Sequence, residues 1–402
     1  MSASALTIQE ATQAALQNNP SLQRTEREID IAEQTLKSAK GEKGVSINAN
    51  SSFNVSKTEG VNHSKSLNGR ISAALTLYSG NRLESQIKSA ELMIETARLG
   101  FYQAQDDLIY NVAATYVDAL ENLATAQVNL QTEENLAEHE KNIALLYDAG
   151  AKAKVDLLRA QVETANATHD TAKSHAAYEV SLVNLATLMS IDAITNMTLE
   201  EFPTELELID VEYFLNLADE TRYDLKADIL NIENGELDIE IARAGYRPTI
   251  SASADTGFNS TSDSWHPTPD VSFGVSASWN IFDSGVTKSK IKSAEIELER
   301  LKLAMHNDVN QIHADVVAAY KNLQIALIRT RTTKQIADIA EEERYIATEK
   351  YNAGEGILLD VLDAETALAT AKKNLVSANY DVIRYRLELA HACGNTLLVI
   401  SK

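Results

Sequence analysis

The chain is poor in the residues that break regular structure. It has 5 prolines and 15 glycines in 402 residues. No proline falls between Pro20 and Pro203 or after Pro269, and no glycine falls in 101–149, 151–234 or 286–353. Such stretches exclude a fold of many short elements and predict long uninterrupted helices, because proline and glycine are the two residues that end them most readily. A single cysteine, Cys393, excludes an intrachain disulfide. No run approaches the roughly 20 apolar residues of a transmembrane helix. Basic residues are scarce, 36 against 58 acidic, for a net charge of −22. That balance argues against nucleic acid as a partner and suits a solvated surface or a water-filled passage that favours cations.

Signatures of chemistry are missing too. The chain has no His-Glu-x-x-His, no Cys-x-x-Cys and no Gly-rich phosphate loop after a strand, so no metal, cofactor or catalytic residue is expected. His306 and His313 read as a polar helix stripe, and His391 and Cys393 as ordinary helix residues. Acidic pairs abound, but on solvated helix faces, where they do not point to acid–base catalysis. The opening Met1-Ser-Ala-Ser lacks a basic start and an apolar core. The expectation is a cytosolic protein, or a mature form with an added initiator Met.

What the chain does contain is a repeat. Tyr351-Asn-Ala-Gly-Glu-Gly-Ile-Leu-Leu-Asp-Val-Leu-Asp363 recurs, weaker, as Tyr147-Asp-Ala-Gly-Ala-Lys-Ala-Lys-Val-Asp-Leu-Leu158, with Gly150 and Gly354 separated by 204 residues. The same offset relates Ile87-Lys-Ser-Ala-Glu91 to Ile291-Lys-Ser-Ala-Glu295 and Tyr116 to Tyr320. Each glycine suits the reversal of a helical hairpin, since it accepts the positive φ that closes a helix.

Helix patterning in 1–44, interrupted at Pro20 with Ser21 as a plausible cap, precedes a strand pattern in 45–78. A first long helical hairpin is predicted over 79–190 with its tip at 147–156, and then a connector over 191–222. The second repeat follows as a helix over 223–247, a strand hairpin over 248–282 and a second helical hairpin over 283–394 with its tip at 351–363. A tail covers 395–402. In the last strand Val271, Phe273, Val275, Ala277, Trp279 and Ile281 alternate with polar residues. Along the first long helix Val112, Tyr116, Ala119, Leu123, Ala126 and Leu130 step by four and three, a heptad seam. The helix after Gly150 has two seams, Val155–Leu158–Val162–Ala165 and Ala153–Leu157–Ala160–Thr164–Ala167–Thr171, which suits a wall of helices with a neighbour on each side. Each predicted strand is about ten residues, close to the 9–11 of a tilted membrane strand. Four such strands cannot close a barrel, so insertion into lipid requires several chains to share one. A small soluble sheet on a helical-hairpin scaffold, or a periplasmic adaptor-like protein, is the alternative.

The order of these segments resembles the TolC-like outer-membrane efflux proteins. So do Leu77-Tyr-Ser-Gly80, Ala242-Arg-Ala-Gly-Tyr-Arg-Pro248, Ile281-Phe-Asp-Ser-Gly285, Tyr351-Asn-Ala-Gly354 and Asp360-Val-Leu-Asp-Ala364. The resemblance implies a mainly α fold with two β-hairpins, forming as a homotrimer a 12-stranded outer-membrane β-barrel continued by a periplasmic α-helical barrel. It implies a passive exit duct in outer-membrane lipid, a periplasmic adaptor and an inner-membrane pump as partners, and a signal peptide already removed. By the same resemblance Asp156, Tyr351, Asp360 and Asp363 line or lock the aperture at the helical tips. Gly356 stands where some members carry an arginine that would pair with Asp156. Three copies of Asp360 and Asp363 would gather up to six carboxylates, a ring that attracts cations. Ala149, Gly150, Ala353, Gly354 and Gly356 are the expected docking tips for the adaptor.

Overall fold

The computed structural model describes residues 5–57, 64–192, 198–201, 209–261 and 264–400, the side chains of 264–267 excepted. In chain order its elements are α1 (Ile8–Asn18), α2 (Pro20–Gly41), β1 (Ser46–Ser56), β2 (Ser64–Tyr78), α3 (Arg82–Asp148), α4 (Lys154–Met189), α5 (Val211–Thr221), α6 (Tyr223–Arg243), β3 (Thr249–Thr261), β4 (Ser264–Ser278), α7 (Val286–Asn352), α8 (Leu358–Ala392) and α9 (Leu397–Ile400). Helices α3 and α7 are each 67 residues, and they begin 204 residues apart. At about 1.5 Å per residue each is on the order of 100 Å long.

Both long helices start in the same way. Ser79 Oγ accepts from the Leu83 N–H at 3.1 Å, and 204 residues on Asp283 Oδ2 accepts from the Thr287 N–H at 2.7 Å. These caps satisfy backbone donors that a helix start leaves unpaired. Hydrogen bonds from the Thr287 side chain and backbone hold the Asp283 carboxyl below the usual carboxylate range. The following two residues take positive φ in both copies, Gly80 and Asn81, then Ser284 and Gly285.

The chain divides into two compact units. The first comprises residues 1–24, 102–223 and 309–402. Here Tyr116 is fully buried, its hydroxyl 2.7 Å from the carbonyl oxygens of both Leu6 and Glu200 and accepting from the Glu200 N–H at 2.9 Å. Leu6 bridges to Leu199 in parallel, which straps the N-terminal segment and the connector onto α3. The second repeat answers with Tyr320 beside Phe214 of α5, ring centroids 6.1 Å apart. Arg384 of α8 donates to Asp118 at 2.8 Å and Glu121 at 2.6 Å on α3, and to Asp381 at 2.7 Å.

Helix α4 packs back along α3, with Thr164 Oγ1 donating to the Leu136 carbonyl at 3.3 Å and Asn129 Nδ2 to the Asp170 carbonyl at 3.3 Å. The predicted α3 seam is fully buried at Val112, Tyr116 and Ala119, half-buried at Leu123 and Ala126, and exposed at Leu130, where the neighbouring Asn129 is buried instead. A straight 3.6-residue helix drifts past a 3.5-residue pattern.

The second unit comprises residues 25–101 and 224–308. Its four strands form one antiparallel sheet in the order β1-β2-β3-β4, so the two hairpins join through β2 and β3, and among the described residues the outer edges of β1 and β4 are open. Gly235 of α6 lets α7 approach, since a Cβ there would lie 3.1 Å from Leu301 Cδ1 and 3.3 Å from Leu298 Cδ1.

Four boundaries differ from the sequence reading. Asn19, not Ser21, caps α2: its Oδ1 accepts from the Ser21 N–H at 2.9 Å and the Leu22 N–H at 3.3 Å, with Pro20 in the first helical position. The last strand ends at Ser278 rather than Phe282, because Trp279 Nε1 donates to the Tyr246 carbonyl at 3.0 Å and Asp283 is committed to the helix cap. The 191–222 connector contains the amphipathic helix α5, and the 395–402 tail contains α9 with Val399 and Ile400 buried. The polar turn expected near Glu59-Gly60, and residues 202–208 of the acidic stretch expected from Leu199 to Asp210, lie outside the described residues.

Candidate functional site

The two helical tips have one geometry at an offset of 204. At the first, the Ala151 N–H donates to Leu146 O at 2.8 Å and the Gly150 N–H to Tyr147 O at 2.9 Å. At the second, the Glu355 N–H donates to Lys350 O at 2.9 Å and the Gly354 N–H to Tyr351 O at 3.1 Å. These are Schellman closures, with Gly150 at φ +73° and Gly354 at φ +80°. Ala149, Gly150, Ala353 and Gly354 are exposed. Gly356 is half-buried and tucked under the end of α7, where a Cβ would meet Tyr351 N at 3.1 Å and the Lys350 carbonyl carbon at 3.2 Å.

Asp156 falls in the first turn of α4 and Asp360 in the first turn of α8, where the helix dipole favours a carboxylate. Asp360 and Asp363 are exposed and Asp156 is half-buried. Tyr351 is placed differently. Its ring is buried in a cluster with Leu136, Ile143, Ala160, Leu358 and Val361, and Lys152 Nζ lies 4.2 Å from the ring centroid. Its hydroxyl has no hydrogen-bond partner among the described residues.

Sequence reasoning missed a charged group beside this cluster. Glu365 of α8 is buried, 2% exposed, with Arg344 Nη1 at 3.4 Å and His139 Nε2 at 3.9 Å from its Oε1. These three residues, with Tyr351, line a cavity of about 500 Å³ between α3, α7 and α8. The available signal was Glu365's spacing: it stands four residues after buried Val361 and three before buried Leu368.

Two faces lack partners among the described residues. Of the paired seams on α4, Ala160 and Ala167 are buried with Leu157 packed against them, whereas Val155, Leu158 and Val162 are 53%, 49% and 56% exposed. The sheet is two-faced by register. One side carries Ile47, Phe53, Leu67, Ile71, Leu75, Ala252, Ala254, Val271, Phe273 and Val275. The other carries Asn48, Asn50, Ser52, Asn68, Ser72, Ser253, Asn259, Ser272 and Ser276. Tyr78, Tyr246, Trp279 and Phe282, all exposed, gather at the helix-connected ends of the strands. An apolar face, a polar face and an aromatic fringe are the features of a membrane-inserted β-barrel wall. Among the described residues, no helix is long and apolar enough to cross a membrane.

A two-faced sheet, carried in one chain with two 67-residue helices, is the make-up of an outer-membrane channel protein. The comparisons agree. The sequence model of the outer membrane efflux protein family matches residues 11–190 and 214–395, and the chain belongs to that family. It is 24% identical over 403 residues to the outer membrane protein TolC of Vibrio cholerae, covering 94% of this chain and 89% of that protein. It is 23% identical over 305 residues to TolC of Escherichia coli K12, covering 72% of this chain and 62% of that protein. The solved structure of the outer membrane protein VceC from Vibrio cholerae superposes with a TM-score of 0.81 at 18% identity, covering 96% of each chain. The protein is thus a TolC-like outer-membrane protein of a channel family.

Proposed function

We propose that the chain is the outer-membrane duct of a tripartite efflux or type I secretion system, acting as a homotrimer. The observation that carries this reading is the sheet: one face apolar, the other polar, both edges open. An open edge in lipid leaves backbone groups unpaired at several kcal/mol each, so β1 of one copy must meet β4 of the next. Three copies give twelve strands. The exposed Val155–Leu158–Val162 seam gives each helical hairpin a surface for a neighbour in the same assembly.

In this assembly the tips face the periplasm and narrow the passage. Asp360 and Asp363, exposed one turn apart on α8, supply an acidic ring of up to six carboxylates, with Asp156 close to the same end of α4. Such a ring favours cations and is blocked by multivalent ones. Tyr351 and its cluster hold α7 and α8 together behind that ring. Gly356 leaves out the arginine that would clasp Asp156, so closure rests on packing around Tyr351. The tip residues Ala149, Gly150, Ala353, Gly354 and Gly356 form the docking surface for the helical hairpin of a periplasmic adaptor, and an inner-membrane pump supplies the energy. The chain itself is a passive duct, not an enzyme.

The test is single-channel current in a planar bilayer before and after Asp360→Ala with Asp363→Ala. The proposal predicts weaker cation preference and loss of block by trivalent cations added on the periplasmic side. Unchanged selectivity and unchanged block would reject the acidic ring.

A further inference from the structure

The polar face of the sheet is not electrically blank. Most of its residues are Ser, Asn, Thr or Gly, and among the described strand positions its charged residues are Arg70, Asp255 and Asp270. They are close neighbours. Arg70 pairs in register with Gly257, which pairs with Asp270, and Asp255 sits two residues along β3 on the same face. Arg70 Nη2 reaches over β3 to Asp270 Oδ2 at 3.4 Å.

That reach depends on a glycine. A side chain at Gly257 would stand beneath the guanidinium, and its Cβ would come within 2.5 Å of the Gly69 carbonyl oxygen. The opposite face mirrors the device one register pair away, where the Phe258 ring lies over Gly69. Arg70 therefore lies along the sheet, tied down by Asp270, instead of standing off it. Both side chains remain about half exposed, and an ion pair this wet contributes little to folding. Its consequence is electrostatic.

We propose that Arg70, Asp255 and Asp270 form a charge-selective girdle inside the barrel, distinct from the acidic tips, in which Arg70 offsets the two carboxylates while clamped against the wall. The proposal rests on the reading above, that the polar face lines the water-filled lumen of a trimer. Each chain brings one positive and two negative charges, so the girdle carries −3 in all. Loss of Arg70 makes it −6, and loss of Asp270 makes it 0. The ligands it discriminates are hydrated ions and charged solutes, sorted by sign before they leave the duct.

The experiment measures reversal potential across a KCl gradient for the trimer in planar bilayers, in an Asp360→Ala, Asp363→Ala background so that the tips do not dominate. Arg70→Ser is expected to raise the K⁺ to Cl⁻ permeability ratio about twofold or more, and Asp270→Asn to lower it by a similar factor. The double variant, at −3 again, returns close to the parent. Identical reversal potentials in channels of normal conductance would overturn the girdle while leaving the duct intact. Absence of any channel from the unaltered protein would instead overturn the duct. If Arg70→Ser does not assemble, Ser272→Cys, next to Asp255 in register, gives a second readout. A cationic methanethiosulfonate reagent must then lower the ratio and an anionic one raise it, and no response to either overturns the proposal.

Discussion

Val271 and Ser272 are adjacent on β4 and face opposite sides of the sheet, which makes them a paired probe of the membrane reading. Val271 stands in the row Ala49–Ile71–Thr256–Val271 near the middle of the strands, and its side chain is 66% exposed within the chain. The 11 residues of β1 extend about 36 Å at about 3.3 Å per residue. Tilted by about 40°, they cross about 28 Å, close to the roughly 25 Å apolar band of an outer-membrane barrel. An arginine on the lipid face near the midplane costs about 2–4 kcal/mol, so Val271→Arg loses about 6–12 kcal/mol over three copies. That is comparable with the whole stability of a typical domain, about 5–15 kcal/mol. Ser272→Arg, on the lumen side, is expected to stay within about 0.5 kcal/mol, as for an ordinary solvated site. The assay is the fraction of heat-modifiable trimer recovered from outer membranes, with urea midpoints for the purified proteins. Val271→Arg should fail to assemble and Ser272→Arg should assemble. Equal tolerance of both would refute a lipid-facing sheet, and the reverse order would mean that the two faces have been exchanged.

Other consequences are local. Ser190 closes α4 at φ +53°, where the second repeat has Gly394 at φ +71°, so Ser190→Gly should stabilise the protein by about 1 kcal/mol in denaturant unfolding. Introducing a long side chain, Gly356→Arg, forces its Cβ into the end of α7. Faster amide exchange at the 351–356 tip, at a local cost of about 1 kcal/mol, is expected, and unchanged exchange would contradict the tight packing there. The Asp283 carboxyl is held below its ordinary value in the folded protein, so its cap is fully stabilising above the unfolded carboxylate's pKa and fades as the pH falls through the depressed folded value. Asp283→Asn should flatten the acid limb of stability against pH, and an unchanged limb would remove the cap from the account.

Much of this architecture was legible because it is periodic. The absence of proline, and of glycine except Gly100 in α3, marked both 67-residue helices, and the offset of 204 predicted that Gly150 and Gly354 would close them alike. The alternation in 45–78 and 248–282 located the four strands. What local pattern does not encode is long-range pairing. Nothing in either hairpin announces that β2 pairs with β3 or that Arg70 meets Asp270 across 200 residues of chain. The burial of Glu365 was hidden because a glutamate beside a seam normally points to water, and Arg344 and His139 on other helices make its burial tolerable. The packing of Tyr351, expected to line or lock the aperture, was not legible either, since the apolar contacts around its ring come from α3, α4 and α8. The Val155–Leu158–Val162 seam of α4, by contrast, was legible as a surplus: a single chain buries one stripe and leaves the other bare.

That bare stripe and the open sheet edges set the decisive measurement, the native mass of the detergent-solubilised protein together with its image in the electron microscope. Three chains of 44.0 kDa in a threefold particle with a hollow stem are expected. A single 44.0 kDa chain, monodisperse in detergent-free buffer and showing no stem, would contradict that assembly.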